Sequence, residues 1–267
     1  MPPLLLILLQ ISSSCLCSCP QFFFRETPPN DALEPENPAW ICQRYENQYY
    51  FATLYDRSRR IPVYSAYLYQ PGPGKRPKTW LVEPQLMGLS YPKTMEKEWT
   101  LLNYFNVTLE QLGKSQAVLQ DYKNLTGLNR GHLNPSGHHS DSFSRLATFS
   151  LTNIIPQDEK LNGGAWNNYE QQIMMRRTQS CNTTYIRGGR RAREQLHRQG
   201  QGQQAQPHLV ECLLLRWTTT TGNLGLSLLR MTRTRSICSQ LGELEEVLTQ
   251  LYGRDQVYLF DSDCPRE

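Results

Sequence analysis

In the run Asn129-Arg130-Gly131-His132 an imidazole stands two positions from a guanidinium, with a glycine beside it. The imidazole titrates near neutrality and can take a proton from water. The guanidinium offers donors in a fixed fork that suits a phosphate, and Gly131 keeps the intervening backbone permissive. Farther on, Asn162-Gly163-Gly164-Ala165-Trp166 opens a helical pattern in which Trp166, Tyr169 and Ile173 recur at three- and four-residue spacing, and Asn162 suits its N-cap. There its carboxamide oxygen can coordinate a hard cation that keeps most of its waters, as Mg²⁺ does. Glu170, about two turns farther along, can orient those waters. A general base, a cation for the phosphate and a place for a hydrated metal are the groups that phosphodiester hydrolysis needs.

Each piece alone is ordinary. Most loop histidines are structural or solvated, an isolated Asn before a helix is a cap, and Trp166, Tyr169 and Ile173 read as core side chains. The order and mutual spacing of the three segments carry the weight. His138-His139 with Asp141 raises a second metal site, but a solvated polar loop fits those residues better and they receive no role.

These residues need strands and a helix to hold them. Residues 49–69 are rich in aromatic and β-branched side chains, alternate at Val63-Tyr-Ser-Ala-Tyr-Leu-Tyr, and read as β; the Pro/Gly cluster at 71–77 then forces a loop. Residues 101–119 read as partly helical. Residues 147–155 look like a buried strand ending at Pro156, so that strand, loop and helix follow His132 in order. Residues 241–251 form an amphipathic helix pattern, and Val257-Tyr-Leu-Phe reads as a short strand.

Asn129-Arg-Gly-His132, Thr152-Asn153-Ile-Ile-Pro-Gln157, and Leu161-Asn162-Gly-Gly-Ala-Trp166 followed by Glu170 resemble the signature of the DNA/RNA non-specific endonuclease family, in the ββα-metal (His-Me finger) group. Arg130-Gly-His-Leu-Asn-Pro-Ser-Gly-His-His139 and Ile41-Cys-Gln-Arg-Tyr, with Phe51-Ala-Thr-Leu-Tyr-Asp, are similar to its endonuclease domain-containing 1-like branch. The resemblance implies an α+β fold with a mixed β-sheet core and a ββα-metal motif. It implies His132 as general base, Arg130 as phosphate contact, Asn162 as the ligand of Mg²⁺, with Mn²⁺ able to stand in, Glu170 as the outer carboxylate, and Asn153 as support for the site. The family's basic residue two positions before a Trp is matched by Lys78 before Trp80 and Pro84, with Arg76 as the nearby alternative. Asn129 stands where the family usually has Asp, a change expected in this branch.

The likeness covers residues 40–186 and 241–264. Between them, residues 187–236 read as an atypical basic, low-complexity insertion: Arg187, Arg190, Arg191, Arg193 and Arg198, a Gln/Gly tract at 199–206 and a Thr run at 218–221, without a clean strand or helix period. The single nuclease domain is therefore expected from 40–186 and 237–264, after a signal peptide at 1–19 and a Pro- and Asn-rich leader at 20–39. The apolar run at 4–11 has the length of a signal h-region, and no segment reaches the roughly 20 apolar residues of a membrane span.

Three sequons, at Asn106, Asn124 and Asn182, agree with a secretory route. If Cys15, Cys17 and Cys19 leave with the signal, Cys42, Cys181, Cys212, Cys238 and Cys264 remain, an odd number. A net charge of +4 is compatible with a polyanionic substrate without demanding one. The expected function is a secreted, Mg²⁺-dependent endonuclease that hydrolyses DNA and RNA without sequence preference. The alternative is a nuclease-fold protein of impaired chemistry, acting as a secreted nucleic-acid-binding or interaction module.

Overall fold

A computed structural model of the chain describes residues 19–179, 181–190, 212–220, 223–231, 236–237, 241–253 and 255–260. Strands β1 (Pro38–Tyr45), β2 (Gln48–Asp56) and β3 (Ile61–Leu68) run as an antiparallel meander. Tyr45 pairs with Gln48 across Glu46 and Asn47, whose φ angles of 43° and 63° are those of the tight turn that suits the twist of a hairpin. The chain then leaves the sheet for β4 (Leu81–Val82), β5 (Glu96–Lys97), α1 (Glu98–Tyr104) and α2 (Leu109–Ser115). A capping box between Thr108 and Gln111 starts α2. Next come β6 (Leu128–His132), α3 (Ser142–Ala147), β7 (Ile154–Asp158) and a helical run over 159–178 that begins as α4 (Glu159–Leu161) and ends as α5 (Met174–Thr178). The sheet resumes with β8 (Thr183–Arg190), β9 (Cys212–Thr220), β10 (Asn223–Met231) and β11 (Ser236–Ile237), in the order β1-β2-β3-β8-β9-β10-β11, before α6 (Leu241–Tyr252).

The α+β class expected from sequence is the one observed. The described ladders are antiparallel, with one isolated parallel bridge between Leu81 and Ser150. The central strands are buried almost throughout because both faces of the sheet are covered. One face packs Ala52, Leu54, Tyr64 and Ala66 against residues 19–33, α6 and Val257, Leu259 and Phe260. The other packs Phe51, Tyr67 and Ile186 against Leu133, Ile155, Leu161, Trp166 and Tyr169. Alternation along β2 and β3 thus feeds two cores, and the second core carries the candidate site.

Several sequence expectations change. Cys19 is buried and disulfide-bonded to Cys42, and Phe22, Phe23 and Phe24 lie in the core, so residues 19–33 belong to the folded body rather than to a signal or a leader. Residues 1–18 lie outside the described residues. Among the described residues Cys181 is unpaired. Residues 147–155 are not one strand: α3 ends at Ala147, Leu151–Asn153 is a 3₁₀ turn, and β7 begins only at Ile154 and runs through Pro156. Residues 257–260 pack without forming a strand. Residues 187–236 contain the second half of β8, all of β9 and β10 and the first residue of β11; the rest of the basic cluster beyond Arg190 and the Gln/Gly tract lie outside the described residues. Arg187 itself is a core residue, enclosed by the rings of Phe23, Tyr64 and Phe260 and donating to the Leu259 carbonyl.

Glu83 is an uncommon feature of this core. Gln116 brackets its backbone, accepting from its N–H at 2.8 Å and donating to its carbonyl at 2.6 Å, while the carboxyl Oε1 has no partner among the described residues. Burial pushes this carboxyl up to about 8. The unfolded chain releases the proton near 4.5, so the stability that Glu83 contributes is complete below about 4.5 and is lost as pH rises toward about 8. Glu83→Gln is expected to melt near wild type at acid pH and higher than wild type at mildly alkaline pH. Parallel melting-temperature profiles of the two proteins across this window would sink the expectation.

Candidate active site

Strand β6 ends on His132 and pairs antiparallel with β7, with His132 opposite Ile154, Gly131 opposite Ile155 and Leu128 opposite Asp158. Gly131 is required by close packing: a Cβ there would lie 2.6 Å from Cβ of the buried Gln157. The helical run starts directly after β7. Asp158 is its N-cap, accepting from the Leu161 N–H at 3.0 Å, so Asn162 is not the cap but lies one turn inside, partly exposed and in helical conformation. Asp158 was the better acceptor because it stands at the strand end with its backbone extended. From Asn162 the run departs from α geometry in two π turns, Asn162–Trp166 and Tyr169–Ile173, with Gly164 at φ −104° and ψ −105° absorbing the irregularity. Such turns are frequent at functional sites. Trp166 and Tyr169 are buried, as their spacing predicted.

His132 is buried in an aromatic cluster, its ring 4.8 Å from that of Phe149 and 5.7 Å from that of Trp80. Its Nε2 has no hydrogen-bond partner among the described residues. Burial, and then the Arg76 guanidinium, lower its pKa to about 3, so the imidazole is neutral with a free lone pair at physiological pH. Two guanidinium groups flank the cluster. Arg130 lies 5.0 Å over the Trp80 ring and 5.8 Å over that of Tyr122, while Arg76 lies 5.4 Å over Phe149. The loop carrying Arg76 is tied at its base by buried Arg145, which donates to the Gly72 carbonyl, and by the Gln70 N–H, which donates to the His138 carbonyl at 2.9 Å.

Arg76 also acts on Glu170. Burial pushes the Glu170 carboxyl up to about 7, against the opposing pull of Arg76 and of the Trp166 indole N–H, which faces it short of a regular hydrogen bond. One exposed guanidinium therefore joins the imidazole on β6 to the carboxyl on the helical run. Lys78 is exposed on the same loop and makes no described contact with these groups. Arg76, the alternative, is the cation that the structure brings to the site.

Asn153 is fully buried and every polar atom of its carboxamide is engaged. Its Oδ1 accepts from the Ser65 hydroxyl at 2.8 Å and the Asn134 N–H at 3.0 Å, and its Nδ2 donates to the Asn134 and Thr148 carbonyls. With its own carbonyl accepting from the Leu133 N–H at 3.0 Å, Asn153 pins the two residues after His132 to β3. It holds the end of β6 in place from within the core. His138 and His139 are buried too, not solvated: the loop after His132 turns inward. Sequence reading missed their burial, along with the Trp80 and Phe149 packing around His132. A signal for the histidines was their place among Leu133, Ser136 and Tyr67, which are all buried.

Among the described residues no three His, Cys, Asp or Glu side chains converge as a metal cage. The helical run instead offers one partly exposed carboxamide, Asn162, and one half-buried carboxyl, Glu170, whose ionisation desolvation opposes and a nearby cation would favour. That donor set fits a hard, largely hydrated divalent ion held by few protein atoms.

A strand pair delivers a neutral imidazole beside two guanidinium groups, and a helical run with a carboxamide and a half-buried carboxyl follows at once. The profile of the DNA/RNA non-specific endonuclease family matches residues 28–211, well over half of the chain, and the chain belongs to that family. It is 38% identical over 142 residues to the human endonuclease domain-containing 1 protein and 34% identical over 144 residues to the mouse protein of that name. Each match covers 53% of this chain and 27% of the relative, so the chain spans about a quarter of the length of these curated relatives. Over 55 residues, 20% of this chain and 15% of the relative, it is 44% identical to the human mitochondrial nuclease EXOG.

Proposed function

We propose that this chain is a ββα-metal endonuclease that hydrolyses phosphodiester bonds of DNA and RNA without sequence preference, with His132 as general base and a divalent ion, Mg²⁺ or Mn²⁺, at Asn162. The observation that carries the reading is Arg76, packed over the Phe149 ring that lies against His132 and within electrostatic reach of both that imidazole and the half-buried carboxyl of Glu170. Arg76 and Arg130, with Lys78 farther along the loop, bind the phosphate and its neighbours. The negative charge brought by the phosphate offsets Arg76 and raises the proton affinity of His132 toward the operating range. His132 Nε2 then takes a proton from the water that attacks phosphorus, and Glu170 orients water around Asn162. When bound, the divalent ion supplies charge stabilisation at the departing oxygen. None of these groups addresses a base edge, so cutting is independent of sequence.

A secretory destination agrees with the Cys19–Cys42 disulfide, which belongs to oxidising compartments, and with exposed sequon residues Asn106, Asn124 and Asn182 as glycan acceptors. Among the described residues no helix is long and apolar enough to cross a membrane.

The deciding experiment is nicking of supercoiled plasmid and cleavage of RNA with added Mg²⁺, with EDTA, and by Asn162→Ala. EDTA is expected to stop both reactions. Asn162→Ala is expected to lower activity about 10- to 100-fold at limiting Mg²⁺, with partial recovery at high Mg²⁺. Retarded plasmid mobility without nicks, whatever the metal, would instead identify the nucleic-acid-binding module. With β8, β9 and β10 in the sheet, the apparent break after residue 187 no longer favours that alternative.

A further inference from the structure

His138 is engaged by neither the base nor the phosphate-binding groups, yet it is fully buried beside the helical run. Its Nδ1 is 2.9 Å from the Tyr67 hydroxyl on β3, and its Nε2 is 3.2 Å from the backbone carbonyl of Glu170. A carbonyl only accepts, so Nε2 carries the proton and Nδ1 accepts from Tyr67; two partners fix one tautomer. The rings of Tyr69 and Tyr169, at 4.7 and 6.3 Å, close the pocket around it. Its neighbour His139 donates from Nε2 to the Asn134 Oδ1 at 2.7 Å, which secures the same loop from the other side.

The bond to Glu170 falls where the helix changes register. In an α-helix the Glu170 carbonyl would receive the N–H of Met174. The π turn at Tyr169–Ile173 sends that N–H to the Tyr169 carbonyl instead. His138 supplies a donor at the carbonyl from which the register shift has withdrawn its α-helical partner, and so meets the requirement that buried backbone groups be satisfied.

We propose that His138 is a positioning residue for Glu170: by donating to the residue 170 carbonyl it holds the π turn, and thereby sets the direction in which the Glu170 carboxyl leaves the helix. This rests on the role given to Glu170 above. A ring that merely filled space would need neither hydrogen bond, and Phe would serve equally well at that position.

The test uses the full chain. His138→Phe keeps the ring and removes both polar atoms; His138→Gln keeps an N–H donor of similar reach. Amide hydrogen exchange of the metal-free proteins reads the turn directly, and plasmid nicking at limiting Mg²⁺, in wild-type and Glu170→Ala backgrounds, reads the consequence. His138→Phe is expected to speed exchange over residues 167–176 while leaving β1–β3 unchanged, and to lower nicking about 10- to 100-fold. His138→Gln should restore most of both. In the Glu170→Ala background His138→Phe should lower nicking no further.

Unchanged exchange over 167–176, or the same fold-loss of nicking in both backgrounds, overturns the proposal. If His138→Phe does not fold, Tyr67→Phe, which removes the hydroxyl that sets the tautomer, carries the same measurements. Failure of both to fold would also overturn it, because the pair would then be supporting the core at large. If wild type does not nick, or Glu170→Ala nicks like wild type, the nuclease reading of Glu170 fails. The exchange arm still decides whether His138 holds the turn.

Discussion

His132→Ala is expected to lower plasmid nicking about 10²- to 10⁴-fold, the span that a general base contributes. The protein should remain folded, because the deleted ring carries an Nε2 that already lacks a partner among the described residues, so no bonded group is orphaned by its loss. The substitution has a second readout that is independent of catalysis. Burial and Arg76 hold the imidazole neutral down to about 3, whereas the unfolded chain protonates it near 6.5. The wild-type fold therefore loses stability on this account as pH falls through that interval, and the Ala variant does not. Melting curves are expected to move in favour of His132→Ala on going from neutral to mildly acid pH. Undiminished nicking by a folded His132→Ala protein would end the assignment of the base.

Gly188→Ala carries the largest expected cost to the fold. Gly188 lies in β8 with its α-carbon against the chain just after the base: an added Cβ would stand 2.9 Å from the Leu133 carbonyl carbon and 3.3 Å from its Cα, and closer still to the oxygen. All three atoms are backbone, and Leu133 is held by its bond to the Asn153 carbonyl, so neither side can yield by a rotamer change. Overpacking of this kind costs about 3 kcal/mol or more, a fall in melting temperature on the order of 10 °C for a domain of this size. The neighbouring Gly189 is the control, since its Cβ would meet Val63 and Tyr64 atoms at 3.5 and 3.6 Å, ordinary contact. Gly188→Ala is also expected to lose more nicking activity than its stability loss accounts for, because the displaced residue adjoins His132. Equal melting temperatures for the Gly188→Ala and Gly189→Ala proteins would refute this account of the close approach.

The candidate site residues could be picked out in the sequence because chemistry restricts residue type: His132, Arg130, Asn162 and Glu170, to which the proposed function gives roles, stand in an order that few other uses would require. The amphipathic helix α6 and the strands β2 and β3 were legible from their periods. What failed to show depends on distant partners. Arg187 read as part of a basic, low-complexity insertion because the three rings that enclose it lie at positions 23, 64 and 260. Residues 20–39 looked like a leader because their apolar side chains are covered by α6 and by residues 257–260. Spacing before Trp80 favoured Lys78 over Arg76, but a Pro-rich loop has no fixed side-chain period and its anchorage at Gly72 comes from Arg145. Asn162 was displaced from the cap because Asp158, closing β7, takes that place.

The two flanks of the chain meet behind the sheet. Asn30 donates from Nδ2 to the Gln256 carbonyl at 2.6 Å and accepts from the Tyr258 N–H at 2.9 Å, and both flanks seal the face opposite the candidate site. During synthesis the early segment therefore waits for partners made more than two hundred residues later, and such non-local closure is slow. Until the ribosome has released α6 and the residues after it, the greasy rear of β2 and β3 stays bare to solvent. A nascent chain of this kind invites a chaperone's hold during that interval, and the back of the sheet is sealed only once α6 and residues 257–260 have been made.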